Sequence, residues 1–257
     1  MIVVVTDRPY DNSHLAVAYH PGNSMPPSSL QAWTRLIASF SPVTQPVLID
    51  VGTGTGMFAA ALARSGDVAR TVGIDPSVAM LREAMQRSWH PGVQYIAGDA
   101  AALPVADARF DLALLSRVIH HLPDRRRCVR ELQRALRPGG VVVVRTTVRE
   151  RLDAIVYDYW PSLRQTDAAR FPALCDLVTE FSSAGFTTLA VRSFAQPVQP
   201  SLRSYYDVVA LRPQSKFNHV SDVDFAEGLA LLRIDADAEL APVAVPERYD
   251  VLAFAKA

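Results

Sequence analysis

The chain has 257 residues, 49% of them hydrophobic, enough for one large domain with a substantial core. Its 26 Lys and Arg balance 26 Asp and Glu, so the overall charge points to neither a nucleic-acid nor an anionic-membrane partner. Two cysteines, Cys128 and Cys175, are too few for a disulfide framework. The N-terminus lacks the features of a signal peptide, and no apolar run reaches the roughly 18 residues of a membrane span. The expected location is the cytoplasm.

Residues 1–28 are polar and rich in Pro and Gly and read as a lead-in, with a helix capped near Ser28 or Ser29. A regular rhythm follows. VLIDVG (47–52) is a short apolar run typical of a buried parallel strand, and MFAAALARSG (57–66) is a helix closed by Gly66. TVGID (71–75) is a strand. Residues 76–88 form a helix with Pro76 at its first position and Leu81, Ala84, Met85 and Ser88 on one face. Strands are expected at 93–100 and 110–117, a helix at 123–140 stopped by Pro138 and two glycines, and a strand at 141–147. The helix at 123–140 buries Val129, Leu132 and Leu136 and turns its arginines to solvent. This alternation means βαβ units and a parallel sheet covered on both faces. After residue 148 the rhythm breaks into a helix at 172–184, a strand at 187–196, an aromatic and polar stretch at 200–242, and a last strand at 248–257.

The stretch D50-V-G-T-G-T-G56 ends the first strand with an acid and three alternating glycines. In an open α/β sheet this is where ligands bind, and glycines let a ligand lie against bare backbone. The spacing is G-x-G-x-G, not the G-x-G-x-x-G of a dinucleotide site, and no Gly-Lys-Ser/Thr of a P-loop follows. Asp75, ending the second strand, can accept from both hydroxyls of a ribose. Asp99, between Gly98 and Ala100, can meet the edge of an adenine.

These segments, together with G73-I-D-P-S77, F110-D-L-A-L-L-S-R117, H120-H-L-P123 and L136-R-P-G-G140, resemble the class I S-adenosylmethionine-dependent methyltransferases over residues 45–147. The branch they look most like holds the ubiquinone and menaquinone C-methyltransferases and many small-molecule enzymes of secondary metabolism. The resemblance implies a seven-stranded Rossmann-like α/β sheet of order 3-2-1-4-5-7-6 with a helical, aromatic cap made by insertions. It also implies a single domain over 1–257, with core at about 30–148, 172–198 and 246–257 and cap at about 1–28, 149–171 and 199–245. The cofactor implied is S-adenosyl-L-methionine, released as S-adenosyl-L-homocysteine. Asp50, Gly52, Gly54 and Gly56 would hold its methionine part, with Ser116 and Arg117 lining that end. Asp75, followed by Pro76, would hold the ribose. Gly98, Asp99, Ala100 and Met80 would surround the adenine, and Tyr19 would bond the cofactor carboxylate from the lead-in.

The function expected is methyl transfer to a small, apolar or aromatic metabolite, at oxygen or carbon and of natural-product type. The alternative is a cofactor-binding protein that does not methylate, either regulatory or using the fold for a cyclisation or rearrangement. His120 and His121 are the candidate bases; adjacent residues point differently, so one of them is expected to face the pocket. Tyr157, Trp160, Tyr205, Tyr206 and His219 are the candidate substrate residues in the cap. No metal site is expected, since H-E-x-x-H and cysteine clusters are absent. A small-molecule acceptor is the expected partner, with no nucleic acid or membrane, and the chain a monomer or homodimer.

Overall fold

The computed structural model describes residues 25–257. Seven strands form one sheet: β1 (Val47–Val51), β2 (Arg70–Asp75), β3 (Val93–Ala97), β4 (Phe110–Ser116), β5 (Leu136–Thr146), β6 (Phe186–Gln199) and β7 (Val245–Lys256). Their order is β3-β2-β1-β4-β5-β7-β6, the seven-stranded Rossmann-like order expected from the sequence. The β1–β2, β1–β4, β2–β3 and β4–β5 pairs are parallel, while β7 runs antiparallel to both β5 and β6. The chain's path reverses between β1 and β4, so a crevice opens beyond their carboxyl ends.

Burial on both faces explains the apolar runs of the central strands. One face carries Ile49, Ala113, Leu115, Val142, Val144 and Phe254, covered by α4 (Arg125–Ala135) and α7 (Leu174–Ser183) through Leu132 and Phe181. The other carries Leu48, Leu112, Leu114, Val141 and Val143 against Trp33, Ile37, Phe58 and Leu62 of α1 (Pro27–Ser39) and α2 (Met57–Ser65).

Several boundaries differ from those expected. Helix α1 begins at Pro27, with no side-chain cap from Ser28 or Ser29; proline at the first position loses no helical hydrogen bond. Helix α3 (Val78–Arg87) starts after Pro76, because Ser77 is the cap and its Oγ accepts from Met80 N at 3.3 Å. The buried face of α3 is Met80, Leu81 and Ala84, and Met85 lies exposed. Helix α4 ends at Ala135, and Leu136 pairs with Phe110 as part of β5, as Pro138 two residues on discourages continued helix.

Arg126, Arg127 and Arg130 of α4 are exposed, as expected, but the other arginines of α4 and its flank are engaged. Arg125 bonds Glu180 at 2.7 Å, Arg134 grips the Leu103 and Val105 carbonyls, and Arg137 bonds Asp111 at 2.7 Å. They staple the helix to neighbouring segments.

The segments after β5 and between β6 and β7 form the cap: α5 (Val156–Tyr159), α6 (Ser162–Arg170), α8 (Leu202–Val209), a 3₁₀ turn (Ser215–His219) and α9 (Asp222–Ala238). The cap has its own core. Trp160 stacks on Phe225 with ring centroids 5.6 Å apart and meets Phe217 edge-on at 5.2 Å. Gly228 makes this possible, since a Cβ there would lie 2.3 Å from Trp160 Nε1.

Candidate functional site

The glycine turn after β1 is left-handed at all three positions, with φ of +73° at Gly52, +55° at Gly54 and +75° at Gly56. L side chains rarely adopt this region. At Gly52 space forbids them too, because a Cβ would sit 2.4 Å from Val118 Cγ2. Gly52 N and Thr53 N donate to Ile74 O at 2.7 and 3.0 Å, tying the turn to β2. Asp75, at the end of β2, completes the tie by accepting from Gly54 N and Ser77 N, each at 2.9 Å.

Asp50 is 2% exposed and accepts from Thr53 Oγ1 at 2.8 Å. Burial pushes its carboxyl up to about 7, and the charge of Asp75 adds to the effect against the Thr53 hydrogen bond. It lines a first cavity with Gly52, Ser116, Arg117, Arg145 and Tyr205. Asp99 stands exposed past the end of β3, accepting from Ala101 N at 2.8 Å, while Ala100 is buried and Gly98 packs under Pro104. Met80 is buried on α3 beside this region. Asp75, Pro76, Met80 and Asp99 thus lie outside the first cavity's lining, at the ends of the two neighbouring strands.

A second cavity lies beside the first, under the cap. Both His120 and His121 line it. This corrects the expectation that one would face away: they sit in a 3₁₀ turn (Ile119–His121) with rings 4.1 Å apart, and the tight turn keeps them side by side. Arg170 Nη2 lies 3.4 Å from His121 Nδ1. A guanidinium only donates, so Nδ1 accepts and the ring proton is on Nε2. Burial, then the charges of Arg170 and Arg117, pull His121 down to about 4. Burial holds His120 well below the usual histidine range, helped by His121 and by Arg117, Arg170 and Lys216. His120 Nδ1 is buried with no hydrogen-bond partner among the described residues.

The two cavities share Arg117, Gln214, Glu247 and Tyr249. Arg117 follows β4 with φ +58°, held by its N–H to Arg145 O at 2.8 Å. Glu247 accepts from Tyr249 OH at 2.5 Å. Burial works to raise it, but the charges of Arg117 and Lys216 prevail and hold it below the usual carboxylate range. Arg145, 2% exposed, lies 3.7 Å above the Tyr249 ring and 4.7 Å from that of Trp33.

Of the cap residues expected at the substrate, Tyr205 lines the first cavity and Tyr157 the second. Trp160, Tyr206 and His219 line neither. Trp160 is consumed in the cap's core, Tyr206 packs against that core, and His219 is exposed at the end of its turn. Tyr19 lies outside the described residues. The sequence reading missed Arg145, Arg170, Lys216, Glu247 and Tyr249. Arg145 alone had a local signal, a charge closing the apolar run VVVV. No group of three or more potential metal ligands occurs among the described residues, and none of their helices is long and apolar enough to cross a membrane.

Residues 49–144 match the family model of the methyltransferase domain. The strand order agrees with that match: the chain carries the class I S-adenosylmethionine-dependent methyltransferase fold. An uncharacterized methyltransferase of Mycobacteroides abscessus is 38% identical over 106 residues, 39% of each chain. A demethylmenaquinone methyltransferase of Roseiflexus castenholzii is 29% identical over 150 residues, 58% of this chain and 63% of that one. The chain therefore covers less than two thirds of these curated relatives. A crystal structure from Anabaena variabilis, described as a methyltransferase of an antibiotic biosynthesis pathway, superposes with a TM-score of 0.65 at 24% identity, over 86% of this chain and 96% of that one. The relationship is to small-molecule and quinone methyltransferases in general and singles out no one branch.

Proposed function

We propose that the chain transfers a methyl group from S-adenosylmethionine to a small metabolite held under the cap. The observation that carries this reading is the pair of adjoining cavities beyond β1, β4 and β5, one with Asp50 in its wall and the other with the two histidines, sharing Arg117, Gln214, Glu247 and Tyr249. The chain's residues fit the cofactor. Asp50 is a buried carboxylate raised to about 7, with Thr53 Oγ1 as its side-chain donor; a cationic ammonium and sulfonium are what such a group lacks. The bare backbone of Gly52, Gly54 and Gly56 would line the methionine part with Ser116 and Arg117. Asp75 would take the ribose hydroxyls, while Asp99, Ala100 and Met80 would take the adenine.

When bound, the cofactor supplies a methyl group made electrophilic by the sulfonium. What remains for the chain is placement, which can be worth roughly 7–11 kcal/mol of barrier. Arg117, in its left-handed conformation, and Glu247 hold the junction between cavities. The cap shields it from water. His120, neutral and with Nδ1 lacking a partner among the described residues, would take a proton from a hydroxyl or an acidic carbon, a contribution of about 10²–10⁴. His121, with its proton on Nε2, would stand beside it in the same cavity.

Calorimetric titration with S-adenosylmethionine and with S-adenosylhomocysteine, on wild type and Asp75→Ala, tests the reading. Micromolar binding that weakens sharply in the variant supports it. Absence of binding to folded, ligand-free wild type rejects it. Replacement of both histidines then separates methyl transfer from cofactor binding alone: turnover falls while cofactor affinity holds.

A further inference from the structure

Five cations line the second cavity: Arg117, Arg151, Arg170, Lys216 and Arg248. Two are neutralised locally, Arg151 by the buried Asp250 and Arg248 by Asp153 at 2.9 Å. The acids that remain are already engaged. Asp167 accepts from Tyr157 OH at 2.9 Å and has Lys216 Nζ at 3.9 Å. Glu247 accepts from Tyr249 OH and lies in the field of Arg117 and Lys216. Arg170 differs from all of these. Its guanidinium meets no carboxylate within 4.0 Å among the described residues, and its side-chain contact is the neutral Nδ1 of His121. A partly buried guanidinium fork spent on one long bond to an imidazole leaves most of its five donors for something else.

Arg170 contributes N–H groups and Lys216 an ammonium with 15% of its side chain exposed, and His121 lines the same space. Burial of such charges is costly unless an opposite charge arrives. We infer that the second cavity binds the acceptor through an oxyanion, a carboxylate or a phosphate, held by Arg170 and Lys216 with His121 beside them. The rest of the acceptor then extends past Glu247 and Arg117 toward the first cavity. Burial is the largest cause of the depressed histidines, and the cations that add to it are Arg117 and Arg170 for both, with Lys216 acting on His120 as well. An arriving anion relieves that field. The word acceptor rests on the proposed methyl transfer; the anion rests on the cavity alone.

The test is a titration of the full chain with benzoate, phenyl phosphate and benzamide, with and without saturating S-adenosylhomocysteine, followed by calorimetry and by the imidazole nitrogen resonances of His121. The expected result is binding of benzoate, phenyl phosphate or both at least tenfold tighter than benzamide, weakening as salt is added, with His121 shifting on binding. Which of the two anions binds tighter tells carboxylate from phosphate. Arg170→Gln and, separately, Lys216→Gln are each expected to lower anion affinity at least tenfold while leaving benzamide unchanged; thermal melts confirm that the variants are folded, and either folded variant suffices. Equal binding of the three probes, or anion affinity untouched in a folded variant, overturns the inference, as does absence of anion binding to wild type. Failure to bind S-adenosylhomocysteine, with anion selectivity intact, rejects the methyltransferase reading and leaves the anion site standing.

Discussion

Arg170 donates to Nδ1 of His121 across 3.4 Å and thereby fixes which nitrogen of that ring carries the proton. Two residues 49 positions apart, one on the turn after β4 and one at the end of a cap helix, thus set the chemistry of a single imidazole. Arg170→Gln removes both the donor and its charge. The expected outcome is a rise of the His121 pKa from about 4 toward the ordinary 6.5, read from imidazole resonances across pH 3–8. A pKa that stays near 4 in the folded variant would mean that burial and Arg117 alone are responsible.

The same shift has a consequence for stability. His121 titrates lower in the folded chain than its usual 6.5, so the unfolded chain binds the proton first as pH falls. Wild type therefore loses stability between pH 6.5 and 4, by up to about 1.4 kcal/mol per pH unit from this group. His121→Gln is expected to flatten that part of the profile in denaturant titrations.

Asp50 acts with the opposite sign. Its carboxyl is raised from 3.8 to about 7 in the folded chain, so the folded state holds the proton longer than the unfolded one. Its contribution is fully present below pH 3.8 and is lost as pH rises to 7, again by up to about 1.4 kcal/mol per unit. Asp50→Asn should gain stability relative to wild type as pH rises across that window. Binding a cationic cofactor favours the ionised form, so wild type should release a proton on binding near pH 6, seen by calorimetry in buffers of different ionisation heat. The Asn variant should release none from this group.

Gly52 and Gly66 are both left-handed, at φ +73° and +77°, but only Gly52 is crowded, with Val118 in the way; nothing lies within 4 Å of a Cβ at Gly66. Gly66→Ala is expected to cost about 1 kcal/mol of backbone strain with cofactor affinity unchanged. Gly52→Ala should cost a further 1–3 kcal/mol or so of overpacking and weaken cofactor binding at least tenfold. Equal effects at the two positions would remove the Val118 contact from the explanation.

Gly228 carries the cap. An alanine there meets Trp160 Nε1 and the Tyr159 carbonyl at 2.3 and 2.7 Å. The expected result of Gly228→Ala is a loss of about 1–3 kcal/mol and faster proteolysis within residues 152–170 and 200–240. Cofactor affinity should stay within a few-fold of wild type, because the glycine turn belongs to the sheet.

Much of the sheet was legible because the central strands are buried on both faces and each helix between them is amphipathic; Leu112 to Leu115 and Val141 to Val144 announce themselves as apolar runs. The glycine turn was equally readable, since φ above zero restricts the residue itself. The cap was not. Trp160 and Phe225 lie 65 positions apart, and no periodicity in either segment says that they stack on each other rather than line a pocket. The element ends at Ser77 and Ala135 slipped by a few residues because caps and prolines compete at short range.

By itself the sequence determined the alternation of strands and helices, the acid-and-glycine turn and the acids ending β2 and the β3 segment, because each follows from local burial, backbone freedom or chain adjacency; the strand order came from the family resemblance. The tertiary structure alone decided the second cavity. Its cations come from β4's end, the turn after β5, α6, the turn before Val220 and β7, and its acids from the segment after β5, α6 and β7. Charges from such distant segments act on one another only when folding brings them within a few ångströms inside a low-dielectric space.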